Sequence, residues 1–452
     1  MDGSKRRNAN RITPTLPSHE TEPIGGARPI RVVFLSFYFE AWDALAEVWQ
    51  LMVADERFEP TVISIPRRLT GEVGFIDEDR VSEFYDSVGV PHLRFNYEDS
   101  AEGLQRLKEM APDYVFINYP WQRNYQPSYR VEQLSEFTKV CYVPYYSMPL
   151  VNEPGESGIA PHLYQQRSHQ LASMIFTQDS TVREAYAQTE RGNAYVYLTG
   201  SPKIDALLRD AKLGAQTWPI EATKGLHGQP VPKRNYRIIW APHHSYGPNW
   251  LNFGMFAQTY RGMLKFAQQH PNVDIVLRPH PFLFGTLKDR GVISATELDD
   301  WLEDWQDLPN TSIDTDGGYA ALFRATDLMV TDGISFIGEF PLITGRPTVF
   351  LENPGHWAFS PLGEIAAAAN IRLTSFEAFE ALFDEIQTQG LPDYSEQIGK
   401  LRAAASPFPG QAAARILDAV ANDFAAGTPL VDKSLVTEVA WEFRPGAEPQ
   451  ID

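Results

Sequence analysis

Short apolar runs alternate with segments of helical periodicity along most of this chain. Residues 30–37, IRVVFLSF, are almost continuously apolar, which is typical of a strand buried on both faces of a parallel sheet. Residues 41–54 carry Leu45, Val48, Trp49 and Met52 at helical spacing and predict the next helix. Further strands are predicted at residues 61–65, 114–118, 140–144 and 174–177, with a helix that ends over residues 104–110.

The alternation pauses over residues 210–234, which are rich in glycine and proline, and then begins again. In the second half the predicted strands are residues 237–240, 274–277, 328–331 and 348–351, and the predicted helices are residues 253–269, 317–325, 335–344 and 411–424. Strands that alternate with helices indicate an α/β protein with doubly wound parallel sheets. Two such Rossmann-like domains facing across a cleft are the outline of the GT-B fold, in which ligands lie at the carboxyl ends of the strands.

The same pattern predicts the domain boundaries. We expect a disordered tail at residues 1–28, a first Rossmann-like domain at 29–209 and a linker at 210–234. A second domain follows at 235–405, then a C-terminal helix at 406–425 and a polar tail at 426–452.

Composition narrows the classes of function. The 452 residues hold 39 basic and 58 acidic side chains, a net charge of −19, which argues against a nucleic-acid partner. No apolar run approaches the roughly 20 residues of a membrane span. With one cysteine, Cys141, and no apolar segment typical of a signal peptide, we expect a cytoplasmic protein. The basic residues Lys5, Arg6 and Arg7 predict at most weak peripheral contact with a membrane.

Polar side chains follow three predicted strands of the second half, in the segments WAPHHS, LRPHP and VTDGIS. Because the carboxyl ends of parallel strands share one edge of a sheet, these side chains are expected to converge on one ligand. The converging residues are His243, His244, Arg278, His280, Asp332 and Ser335.

A helix that begins in this cleft predicts a phosphate site. Free amide groups near Ile334, Ser335 and Phe336 would point at the ligand. Imidazole and guanidinium groups beside them would complement the charge of a diphosphate. No metal-ligand spacing is convincing, and the nucleotide fingerprints GxGxxG and P-loop are absent from the sequence. We therefore expect neither a metal nor a cofactor.

The run ATDLMVTDGISFIGEFPLITGRPTVFLEN resembles the signature of the CDP-glycerol glycerophosphotransferases, the teichoic-acid primases and polymerases. The segments RPHP, WAPHHS and TGSPKID resemble further motifs of that family, so that the resemblance covers residues 196–351. Gly333 and Ile334 depart from the Tyr-Ser of the family pattern, so that CDP-ribitol and a nucleotide sugar are alternative donors to CDP-glycerol. The matching residues of the signature are Asp327, Thr331, Asp332, Ser335, Glu339, Arg346 and Pro347.

The resemblance implies transfer of a glycerol-phosphate-like group from a CDP-linked donor to a hydroxyl of a saccharide or lipid-linked acceptor, with release of CMP. The first domain would bind the acceptor and the second the donor nucleotide. His243 and His280 would be catalytic and contact the donor phosphates. The other donor-binding residues it implies are His244, Arg278, Gly333, Ile334, Ser335 and Glu339.

Several roles stay open. Asp332 orients a histidine, accepts a donor hydroxyl or caps the following helix. Glu40 and Asp43 are candidate general bases, although acidic residues also favour helix starts. His162 and His169 are alternatives to them. Aromatic side chains of the first half suit sugar rings but also fill cores; they are Trp121, Tyr125, Tyr142, Tyr145 and Tyr146.

Two other functions are compatible with the same residues. The first is a GT-B glycosyltransferase that uses a nucleotide sugar, which the change at Gly333 and Ile334 favours. The second is a non-catalytic protein that binds a nucleotide or glycan during surface-polymer assembly. Release of CMP or UDP from the corresponding donors separates these alternatives.

Overall fold

The computed structural model describes residues 28–68, 74–152, 164–213, 218–220, 234–247, 251–315 and 319–436. The predicted N-terminal tail therefore lies outside the described residues, except for Arg28. This residue forms a bidentate ion pair with Asp113, with both N–O distances at 2.7 Å. Within the described part of the chain, no helix is both long and apolar enough to cross a bilayer.

The first domain contains a seven-stranded parallel sheet in the order β3-β2-β1-β4-β5-β6-β7. Its strands are β1 (Ile30–Ser36), β2 (Phe58–Ser64), β3 (His92–Arg94), β4 (Tyr114–Ile117), β5 (Lys139–Tyr142), β6 (Met174–Thr177) and β7 (Val196–Leu198). Its helices are α1 (Ala46–Ala54), α2 (Glu78–Ser87), α3 (Ser100–Met110), α4 (Val131–Leu134), α5 (Arg167–Leu171), α6 (Ser180–Ala187) and α7 (Pro202–Leu213), with 3-10 turns at Phe39–Ala44, Gln122–Asn124 and Pro127–Tyr129.

The second domain contains a six-stranded parallel sheet in the order β10-β9-β8-β11-β12-β13. Its strands are β8 (Tyr236–Ala241), β9 (Val273–Leu277), β10 (Thr311–Ile313), β11 (Leu328–Thr331), β12 (Val349–Leu351) and β13 (Ile371–Leu373). The helices are α8 (Phe256–Gln269), α9 (Leu283–Asp289), α10 (Ala295–Gln306), α11 (Ala320–Ala325), α12 (Phe336–Thr344), α13 (Pro361–Ala368), α14 (Phe376–Gln389), α15 (Ser395–Ala405) and α16 (Ala412–Ala426), with a 3-10 turn at Lys433–Leu435.

Two doubly wound sheets confirm the predicted fold class. Successive side chains of a strand point to opposite faces. Val32 and Phe34 of β1 therefore enter one buried cluster, and Val33 and Leu35 enter the cluster on the other face. Both faces are covered by helices and turns, which explains why the sequence of β1 is apolar apart from Arg31 and Ser36.

The helix predicted over residues 41–54 is corrected by the structure. The chain first makes the 3-10 turn Phe39–Ala44, in which Ala41 has non-helical angles of φ −118° and ψ 29°. Helix α1 begins only at Ala46. The same spacing of apolar residues also fits a 3-10 turn followed by a helix. The turn and α1 both bury their apolar side chains on one side.

Helix α7 connects the domains. It packs against the turn Phe39–Ala44 on one side and against α11 and α12 on the other. Lys203 of this helix lies 3.3 Å from Asp43, and Arg209 lies 3.0 Å from Glu47. Residues 210–213 of the predicted linker are thus helical, and most of the remaining linker lies outside the described residues.

The last helix, α16, returns to the first domain. Ile416, Leu417 and Val420 are buried in the same apolar cluster as β1 and α1. Beyond it, Lys433 donates to the carbonyl of Glu132 in the first domain. Residues 437–452 of the predicted tail lie outside the described residues.

We predict that Ile416→Ala lowers the free energy of unfolding by about 2–5 kcal/mol, because Ile416 is fully buried and truncation leaves a cavity. Urea unfolding measures the change. Asn422→Ala, an exposed position of the same helix, is the matched control and should stay within about 0.5 kcal/mol of the unmodified chain. Equal stabilities for the two variants would contradict the packing described for α16.

Candidate functional site

The predicted site residues of the second domain follow the strands at which its sheet changes direction. From β8, the sheet extends to one edge through β9 and to the other edge through β11, so the direction of the strand order reverses between β8 and β11. Such a reversal leaves a crevice at the carboxyl ends of the central strands. His243 and His244 follow β8, His280 follows β9, and Asp332 follows β11.

Three histidines meet in this crevice; we call them the histidine cluster. The rings of His244 and His280 stack with centroids 3.9 Å apart, and His243 lies 4.6 Å and 5.3 Å from them. One ring nitrogen from each residue lies within 4.8 Å of the others. The position of each histidine after a strand predicted that the three would converge. The stacking of the His244 ring on the His280 ring was not predicted.

The hydrogen-bond network assigns the proton positions of two rings. The amide of Phe282 donates to Nδ1 of His280 at 3.2 Å. The amide of Ser245 donates to Nδ1 of His243 at 3.3 Å, and the Ser245 hydroxyl, which accepts from Phe253, lies 2.8 Å from the same Nδ1. A nitrogen that accepts an N–H cannot carry a proton in a neutral ring. In this arrangement His280 carries its proton on Nε2, and His243 does so in the tautomer in which the Ser245 hydroxyl donates to Nδ1.

Burial keeps the cluster uncharged. Desolvation, followed by the charges of the neighbouring rings, holds the pKa of His243 and of His280 well below its usual range. Desolvation and then Arg290 lower the pKa of His244 to about 4. At neutral pH the cluster thus offers neutral N–H donors to a ligand.

These tautomers distinguish an anion site from a metal site. A metal-bound histidine usually donates its second ring N–H to an acceptor. In His243 and His280 the second nitrogen instead accepts an N–H, so a metal on these rings would lack the donating ring N–H that usually accompanies ligation, although the three ring nitrogens lie close enough together to share an ion. The two rings suit the oxygen atoms of a phosphate better than a cation.

Asp332 holds the loop that carries His243. Its Oδ1 accepts the amide of His243 at 2.5 Å, and its Oδ2 accepts the amide of Met255, just before α8. Ser335, not Asp332, occupies the N-cap position of α12. Of the three roles considered for Asp332, orientation of a histidine agrees with these contacts, through the backbone of His243 rather than its ring.

The loop between β11 and α12 lies beside the histidine cluster. A Cβ placed on Gly333 would lie 3.6 Å from Cδ2 of His243, so a side chain as small as alanine would contact the ring. Ser335 is exposed, and the amides of the first turn of α12 have no partner within the helix because of helix geometry. The amino terminus of α12, whose N-cap Ser335 lies two residues beyond Gly333, is therefore close to His243.

Arg278 and Glu339 are engaged elsewhere. Arg278 pairs with Asp314 and lies 5.2 Å from the ring centre of Tyr319. Glu339 is buried and accepts hydrogen bonds from Ser147 at 2.5 Å and Tyr319 at 2.6 Å. Since Ser147 belongs to the first domain, Glu339 links the two domains across the cleft.

The candidate general bases differ in their surroundings. Glu40 pairs with Arg67 at 2.7 Å. Asp43 pairs with Lys203, and its Oδ1 is buried without a hydrogen-bond partner in the described part of the chain. Burial raises the pKa of Asp43, although Lys203 opposes the shift. Lys203 and Ser147 are site residues that the strand-end pattern did not identify; Lys203 lies in the segment TGSPKID.

His169 is buried against Tyr142 and Tyr186 in the core of the first domain, and His162 lies outside the described residues. Tyr125 and Tyr142 are also core residues. Four other tyrosines are half-buried at the carboxyl ends of β1, β4 and β5, with neighbouring ring centres 4.7–5.7 Å apart. This tyrosine cluster consists of Tyr38, Tyr119, Tyr145 and Tyr146.

No protein-family model and no curated protein matches this chain. Among solved structures, a protein from Listeria monocytogenes assigned as a UDP-N-acetylglucosamine 2-epimerase has a TM-score of 0.58 at 14% identity, covering 88% of this chain and 97% of that chain. The UDP-GlcNAc 2-epimerase of Neisseria meningitidis, bound to UDP-GlcNAc, has a TM-score of 0.54 at 14% identity, with 87% and 100% coverage.

The wall teichoic acid polymerase TagF is also similar, with a TM-score of 0.53, 14% identity and coverage of 89% of this chain and 90% of that chain. At such low identity these likenesses show the fold. The chain therefore has two Rossmann-like domains in the GT-B arrangement.

Folding should be linked to the protonation of Asp332, whose pKa desolvation raises to about 7. A raised pKa means that the stability from this group is fully present below the pKa of the unfolded chain, near 3.8, and is lost as pH rises through about 7. Between pH 5.5 and pH 8 this amounts to roughly 2 kcal/mol. Urea unfolding of Asp332→Asn at both pH values should lack this component; identical pH dependence in the two proteins would contradict it.

Proposed function

We propose that this chain is a transferase that moves a glycerol-phosphate-like group from a CDP-activated donor to a hydroxyl of a saccharide or lipid-linked acceptor. The pair of Nε2–H donors on His243 and His280, beside the amino terminus of α12, carries the proposal. Neutral N–H donors and helix amides suit a diphosphate that must be bound and then stabilised as charge develops on its oxygens. The motifs resembling glycerophosphotransferases support the choice of donor.

In the proposed reaction the acceptor oxygen attacks the phosphorus atom that bears the glycerol. A new P–O bond forms, the P–O bond to CMP breaks, and CMP leaves with the electron pair of that bond. The hydroxyl proton passes to a base. His243 and His280 donate to the phosphate oxygens through Nε2, and the amides of Ile334, Ser335 and Phe336 at the start of α12 add to this stabilisation, whereas the Gly333 amide is held by the Thr331 hydroxyl.

Asp43 is the base that the surroundings favour. Its Oδ1 has no hydrogen-bond partner in the described part of the chain, and its pKa is raised by burial, as befits a carboxylate that accepts a proton. Lys203 would hold the carboxylate in position. Both carboxylates have a cationic partner, Arg67 for Glu40 and Lys203 for Asp43, so the unpartnered Oδ1 of Asp43 is the feature that distinguishes the two.

The tyrosine cluster supports an acceptor that contains sugar rings. Burial raises the pKa of Tyr38, Tyr119, Tyr145 and Tyr146, so that all four remain neutral phenols. Aromatic faces bind the C–H surface of a sugar, and phenol hydroxyls bind its hydroxyls. Ser147, next to Tyr146, contacts Glu339 of α12, which brings this wall of the cleft close to the donor loop.

A nucleotide sugar is the second candidate donor. Gly333 and Ile334 remove a hydroxyl from the loop that the family pattern uses, and several similar structures are enzymes named for UDP-GlcNAc. The purified chain is therefore incubated separately with CDP-glycerol and with UDP-sugars, and released CMP and UDP are measured by chromatography. CMP release supports the first donor, UDP release the second, and neither release with tight nucleotide binding supports a non-catalytic binder.

His280→Ala should reduce turnover roughly a hundred- to thousandfold, because a positioned donor to the developing charge is lost. His280→Gln keeps an amide N–H at a similar distance and should recover part of the rate, which an acid–base or metal role would not allow. Steady-state kinetics on folded variants tests both substitutions. A near-normal rate in His280→Ala would remove this residue from the site.

Asp43→Asn should lower kcat by roughly a hundred- to ten-thousandfold, as expected for a general base, while the affinity for the donor nucleotide is retained. Glu40→Gln, three residues earlier in the same turn, is the matched control and should have a much smaller effect. If Glu40→Gln proved the more damaging change, the assignment of the base would move to Glu40.

A further inference from the structure

A polar cavity of about 320 Å³ lies at the amino ends of the central strands of the second sheet. Four arginines line it, and we call it the arginine pocket. Three of its segments immediately precede or begin the adjacent strands β8, β11 and β12, whereas the histidine cluster follows the strands. The lining residues used below are Arg234, Arg237, Arg324, Asp327 and Arg346.

Most guanidinium donors in the pocket have no hydrogen-bond acceptor among the residues that the structure describes. Arg237 donates to the carbonyl of Ala325 at 3.3 Å, Arg346 to that of Asp327 at 3.1 Å, and Arg324 to that of Ala211. A guanidinium has five N–H donors in a fixed fork. The Nε of Arg237 is buried and has no hydrogen-bond partner within the described ranges.

The carboxylates nearby do not balance this charge. Asp327 is held by both terminal nitrogens of Arg234, at 2.6 and 2.7 Å, and by the amide of Arg237 at 2.9 Å. Asp274 accepts from Trp218 and Asn235. Two carboxylates against four guanidinium groups leave positive charge in excess, in a chain whose net charge is −19. Burial lowers the pKa of Arg237 and Arg346, which indicates that a counter-anion would stabilise them.

We propose that the arginine pocket binds a phosphoryl dianion, either free orthophosphate or the terminal phosphate of a small monoester. The planar fork of arginine matches phosphate oxygens in pairs. The cavity volume is at the lower end of the range for small-ligand sites, so it admits a phosphate with a small organic group.

This site is separate from the proposed donor site and goes beyond the proposed function. Strand β11 lies between Asp327 at the pocket and Asp332 at the histidine cluster. At the usual rise per residue this separates the two edges by roughly 15 Å. A single phosphate cannot occupy both positions.

Isothermal titration of the full chain tests the proposal, with orthophosphate and methyl phosphate as probes and sulfate as comparator, at constant ionic strength. We expect saturable binding of at least one phosphate probe. Arg237→Gln should weaken it by about tenfold or more, because hydrogen bonds to a charged group are lost. Arg261→Gln removes an exposed arginine of the same domain that does not line the cavity and should leave the affinity unchanged.

The titration is repeated in His280→Ala, because phosphate is also expected in the cleft. Binding that persists in His280→Ala and is lost in Arg237→Gln belongs to the arginine pocket. Arg324→Gln provides a second variant if Arg237→Gln fails to fold. Binding lost in His280→Ala but retained in both arginine variants, or no saturable phosphate binding at all, would overturn the proposal without affecting the test for CMP or UDP release.

Discussion

Two backbone amides that donate to the buried carboxyl group of Asp332 fix the segments that form the candidate site. The register of β8 with β11 aligns Ala241 with Thr331, but it does not define the path of the chain beyond the strands. Asp332 defines it by accepting the amides of His243 and Met255. Burying a carboxyl group is costly unless donors satisfy its oxygens, so the loop carrying His243 and the start of α8 are fixed together by these two hydrogen bonds.

The sequence predicted the centre of each sheet better than its edges. Strands β1, β6, β8 and β11 are buried on both faces, and such burial produces the continuous apolar runs on which the prediction rested. The strands that the sequence did not predict are the four edge strands. Each is three residues long and partly exposed. They are β3, β7, β10 and β13.

The sequence pattern predicted only part of the candidate site as well. Position after a strand was enough to predict the meeting of His243, His244 and His280. It could not reveal that Arg278 is paired with Asp314, because that contact depends on which way a side chain turns. Nor could it reveal the bond between Ser147 and Glu339, residues 192 positions apart in different domains. Local pattern carries no information about such distant partners.

The return of α16 to the first domain has a consequence for synthesis of the chain. About 200 residues separate the end of α7 from the start of α16, and ribosomes add roughly 5–20 residues per second. For roughly 10–40 s the first domain therefore exists without the helix that covers the apolar side chains of β1 and α1. The second domain can therefore complete its core before the first domain does, although the first domain is synthesised earlier.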